Sequence, residues 1–132
     1  MARALLGNAR TYLPQMQELQ TLLAQAPVNC PRLVQLLDNL ANAPQYDQMD
    51  EPLWSRRGRD GLEGQLWTIR DAYEDGVNQF RLDTFRSVRD SCAAGTQPTT
   101  EQLQRARDWM DLTGPIGKME HVIAQIEPVI GP

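Results

Sequence analysis

One histidine, two cysteines and a single lysine, Lys118, are all that 132 residues offer of the side chains that most often carry chemistry. With His121 alone there is no Glu-x-x-His pair, so a di-iron carboxylate bundle cannot be built. A Ser-His-Asp or Cys-His set would have to use that same histidine, and the apolar row around it points it away from the core. Cys30 and Cys92 stand 62 positions apart without a pair of histidines, which excludes a zinc site. Gly58, Gly61 and Gly64 recur at steps of three across a helix start, but no P-loop lysine accompanies them. No run approaches the ~18 consecutive apolar residues of a membrane span. Residues 1–13 carry Arg3, Asn8 and Arg10 where a signal peptide needs an apolar centre. The sequence therefore reads as a cytoplasmic protein or as the mature form of an exported one, with no cofactor and no metal.

The charge balance points the same way. A net charge of −4 and a pI near 4.9 argue against nucleic acid as a partner, because phosphate binding needs a cationic surface. An acidic balance favours solubility and, weakly, a basic partner. With 41% apolar and 23% charged residues and no low-complexity tract, the composition is that of a globular chain, expected as a single helical domain over 1–132. Positive charge is nearly all arginine, and Arg56, Arg57 and Arg59 form its one cluster in sequence.

Apolar periodicity supplies the architecture. Leu62, Leu66, Ile69, Tyr73, Val77 and Phe80 advance by fours and threes, the spacing of one helix face, and Phe85, Val88 and Cys92 continue on a slightly rotated stripe. This predicts one long central helix over about 60–93, opened by the capping-box pair Asp60 and Glu63 and closed by Gly95 in a left-handed turn. Around it the spacing predicts a helix over 4–25, with Leu5, Ala9, Leu13, Met16, Leu19 and Leu23 inward and a kink or restart at Pro14. A second helix opens at Pro31 behind an Asn29 or Cys30 cap and buries Leu33, Leu36, Leu37 and Leu40. A fourth follows the Thr99 and Gln102 capping box, with Leu103, Ala106, Trp109 and Met110 inward. After the turn at Thr113, Gly114 and Pro115, the last helix carries a seam of Ile116, Met119, Ile123, Ile126 and Ile130. The expected fold is all-α, a compact bundle of four to five helices.

Residues 44–59 break the periodicity with Pro44, Pro52 and Gly58 and make a connection longer than most in helical bundles. It carries Trp54, Arg56, Arg57 and Arg59, residue types enriched in binding hot spots. It reads either as a strap across the bundle or as a partner-binding surface. Asp71, Glu74 and Asp75 lie on the polar side of the long helix, but a general acid and base need a pocket that shifts one of them, and Arg70 beside them with Arg81 and Arg86 further along fits a solvated charged face. If the second helix runs antiparallel to the second half of the long one, Cys30 lies beside Cys92 and a disulfide becomes possible, given Cα atoms within about 7 Å. A bridge implies an oxidising compartment, periplasmic or secreted.

The plan resembles small exported helical proteins of bacteria, such as periplasmic immunity proteins and pilotins, and four-helix sensor domains, at the level of fold only. An ordered scaffold without a catalytic set reads as no enzyme. The expected function is a non-catalytic protein–protein interaction module of immunity, inhibitor or adaptor type that binds a protein partner. The alternative is a small-ligand sensor with a pocket between helices, in particular between the long helix and the last one.

Overall fold

The computed structural model describes residues 2–45 and 66–130, which form six α-helices and no strand. They are α1 (Ala2–Leu23), α2 (Cys30–Ala41), α3 (Leu66–Asn78), α4 (Asp83–Ala93), α5 (Thr100–Thr113) and α6 (Pro115–Ile130). The all-α bundle is what the periodicity predicts. The capping signals hold where they are described. Asn29 Oδ1 accepts from the Arg32 N–H, and Thr99 and Gln102 satisfy each other's backbone donors at the start of α5. Gly95, at φ +80°, lets Thr96 N–H reach Ser91 O and Gly95 N–H reach Cys92 O, the paired bonds that close a helix C-terminus. Gly114, at φ +60°, turns the chain from α5 into α6.

The long central helix is corrected. Its stripe is buried as expected through Ile69, Tyr73, Val77, Phe80, Phe85, Val88 and Cys92, but the helix ends at Asn78. A 3-10 turn at Gln79–Arg81 and an extended Leu82 (φ −77°, ψ 158°) separate α3 from α4. The physical cause is the step of five between Phe80 and Phe85. In a continuous helix of 3.6 residues per turn that step would rotate Phe85 about 140° off the buried face. The break resets the phase, and both rings enter the core. Counted with its two halves as one, the element makes five helices. Leu62 and the Asp60 and Glu63 pair lie outside the described residues.

The element against which the others pack is α1, which touches α2, α3, α5 and α6. It buries Leu5, Leu6, Ala9, Met16, Leu19, Leu22 and Leu23. Leu6 and Leu22 stand beside the single row read from the sequence and widen it, so one helix serves neighbours on two sides. Pro14 neither restarts nor divides α1; it is exposed, and the carbonyl left without its N–H partner belongs to Arg10 on the exposed side.

On one flank α6 packs against α1 and α3. Its buried row is Met119, Val122 and Ile126, whereas Ile116 and Ile123 are only partly covered. The seam is therefore rotated from the isoleucine row, because α6 must face two helices at once and presents the sector between them. Gly76 makes the α3–α6 approach close: a Cβ there would stand 2.5 Å from Met119 Cε. On the other flank α2 runs antiparallel to α4, and α5 joins α4 to α1.

Candidate functional site

Antiparallel packing of α2 on α4 generates both features of note, one at each end of the pair. At the first end Cys30 and Cys92 are at disulfide distance, with Cα atoms 4.9 Å apart and sulfurs 2.31 Å apart. Local bonds fix the loops that bring them there. The Gln97 amide accepts from Val28 N–H at 2.9 Å and donates to Val28 O at 2.9 Å, a two-point clasp between the chain entering α2 and the chain leaving α4. Val28 is buried beneath it, and the Ala26–Pro27 peptide bond just before it is cis.

Toward the other end, α2 and α4 enclose a groove of about 400 Å³. Its floor is made by Leu37, Phe80 and Phe85, with the two rings 4.8 Å apart between centroids. Its walls carry Asp38 from α2, Arg81 from the 3-10 turn, and Arg86, Arg89 and Asp90 from α4. Arg89 grips Asp38 with two bonds of 3.0 and 3.3 Å and reaches Asp90 at 3.2 Å; these bonds raise the affinity of its guanidinium for its proton. Arg81 Nε donates to Ala41 O at 2.7 Å and so satisfies a carbonyl orphaned at the end of α2. Arg86 is exposed, and its side chain makes no hydrogen bond or ion pair among the described residues.

Among the described arginines only Arg3, exposed in the first turn of α1, shares that state. Arg107 donates to Leu23 O at the end of α1, Arg32 holds Glu18 through bonds of 2.6 and 2.7 Å, and Arg10, Arg70 and Arg105 pair with Glu127, Asp71 and Glu101. The Arg32 fork keeps the Glu18 carboxyl below the usual carboxylate range. Most described guanidiniums thus have work inside the fold, and Arg86 has none.

The cluster of Trp54, Arg56, Arg57 and Arg59 lies outside the described residues, except that Pro44 at the start of that connection is seen to accept from the Tyr73 hydroxyl at 2.7 Å. Burial pushes the Tyr73 phenol well above its ordinary value, with lesser contributions from Tyr12 and Glu74. Asp71 and Asp75 are exposed, and His121 is exposed on α6. Among the described residues no three His, Cys, Asp or Glu side chains converge as metal ligands, and no helix is long and apolar enough to cross a membrane.

Sequence alone assigns Arg81 and Arg86 to a solvated charged face. A signal was available: both phenylalanines of the chain are followed directly by arginine, at 80–81 and 85–86. Such a pair places a ring inward and a guanidinium at the rim next to it. Compared with protein-family models, with curated proteins and with solved structures, the chain matches none.

Proposed function

We propose that this chain is a non-catalytic helical interaction module of an oxidising compartment, periplasmic or secreted, that binds a protein partner. The observation that carries this reading is the pairing of a rigid scaffold with one unsatisfied cationic edge. The α2–α4 pair is tied at its Cys30–Cys92 end and presents Arg86, with the Nη groups of Arg81, beside an aromatic-floored groove at the other. Arginine beside a concave apolar surface is the usual composition of an interface anchor. The disulfide-distance pair is the support for export, since such bridges persist outside the reducing cytoplasm.

The test is affinity capture from the envelope fraction of the source cells, with wild type and Arg86→Glu as parallel baits, together with mass spectrometry of the non-reduced protein. A stoichiometric protein complex and a linked Cys30–Cys92 peptide support the reading. No retained protein on either bait overturns the interaction role, and two free thiols in protein purified from the native compartment overturn the export.

A small-ligand sensor is the second reading, favoured by a groove volume within the range of small-molecule sites, ~300–1,000 Å³. The α2–α4 groove suits it better than the contact of α3 with α6, where Gly76 and Met119 pack too closely to admit even a Cβ.

A further inference from the structure

The groove is charged unevenly along its length. Around Arg89 the charge is balanced by Asp38 and Asp90. Around Arg81 and Arg86 no ion pair does so among the described residues: Arg81 uses its Nε–H on Ala41 O, and the Arg86 side chain is bonded to neither Asp83 nor Asp90 of its own helix. Two neighbouring guanidiniums at one opening repel each other, and an anion placed between them relieves that repulsion. The chain as a whole carries a charge of −4, so a positive edge is a local exception on it. Next to it Leu82 is 46% exposed. It lies one helical turn from Arg86, whose N–H bonds to Leu82 O at 3.0 Å.

We infer that this end of the groove binds an acidic peptide segment of the partner, with an aspartate or glutamate carboxylate held by Arg86 and Arg81 and an adjacent leucine or aromatic side chain against Leu82. The inference rests on the interaction role proposed above. Arginine's planar fork matches a carboxylate with two parallel bonds. A polyanion such as nucleic acid does not fit, because Asp38 and Asp90 line the same groove. A peptide does, since it alternates a single carboxylate with neutral N–H groups, for which Asp90 Oδ2, not used in the bond from Arg89 to Oδ1, is a free acceptor.

The experiment is selection of phage-displayed random peptides on the disulfide-intact protein, followed by fluorescence anisotropy of the selected peptides on wild type, Arg86→Lys and Arg86→Glu. The Arg86 side chain makes no bond within the described fold, so its variants should keep the wild-type melting temperature. The expected result is enrichment of an acid next to leucine, phenylalanine or tryptophan. Affinity should fall at least about tenfold in Arg86→Glu and less in Arg86→Lys, and it should weaken with added salt. Failure to select any peptide, selection without acids, or equal affinity in Arg86→Glu overturns the inference. Arg86-dependent NMR shifts with benzoate in place of peptide binding also overturn it, and move the site to the sensor reading. If the partner captured from the envelope fraction binds wild type and Arg86→Glu equally, the groove assignment falls while the interaction role stands.

Discussion

The rings of Phe80 and Phe85 lie 4.8 Å apart at an angle of 51°, although five positions separate them in a stretch whose apolar period is otherwise helical. That contact exists only because the helix is interrupted between them. The interruption is held from two sides: Gln79, buried, donates to Gly76 O and meets the Thr113 hydroxyl from α5, while Arg81 reaches across to α2.

Leu82 therefore occupies a helix N-cap, with extended dihedrals and no side-chain cap bond. Leu82→Ser should stabilise the protein by about 0.5–1 kcal/mol, because a serine hydroxyl there accepts from an orphan N–H of α4. Inside a continuous helix the same change would destabilise it. Urea titration of both proteins decides between the two signs.

Ile69 in α3 is 1% exposed and Phe80 3%. Truncation of either to alanine should cost about 2–5 kcal/mol through lost contacts and the cavity left behind. Thermal melts provide the check, and a shift below about 2 °C in both variants would show that the buried stripe has been assigned to the wrong face.

A bridge between Cys30 and Cys92 spans 62 positions. Chain-entropy arguments assign roughly 4 kcal/mol to a closure of that size, so Cys30→Ala with Cys92→Ala should lower the melting temperature by on the order of 10 °C. The core does not depend on the bridge, and the helical circular-dichroism spectrum should persist. Equal melting of the oxidised and reduced wild type would be incompatible with this account.

Tyr73 makes stability fall in alkali. Up to about pH 10 the phenol is protonated in folded and unfolded chains alike. Above that the unfolded chain ionises while burial holds the proton on Tyr73, so the unfolded state binds fewer protons and each further pH unit removes up to about 1.4 kcal/mol. Tyr73→Phe should lose about 1–2 kcal/mol at neutral pH, because Pro44 O loses its donor, yet show a flatter decline above about pH 10. Parallel declines in the two proteins would remove Tyr73 as the cause.

Much of this architecture was legible because it is local. Helix positions follow from apolar spacing, and helix ends from Asn29, Thr99 with Gln102, Gly95 and Gly114, whose preferences act within four residues of chain. The approach of Cys30 to Cys92 also followed from chain order, since it needed only that two neighbouring helices run antiparallel. What sequence could not decide were choices between surfaces of similar hydrophobicity. The row that α6 buries, Met119, Val122 and Ile126, with Ile116 and Ile123 only partly covered, depends on where α1 and α3 stand. The break at Leu82 depends on bonds from α2 and α5, elements distant in sequence. The groove arose in the same way. The Asp38–Arg89 and Ala41–Arg81 contacts join residues 51 and 40 positions apart, and only their meeting separates the arginines satisfied within the fold from Arg86, which is left to face outward.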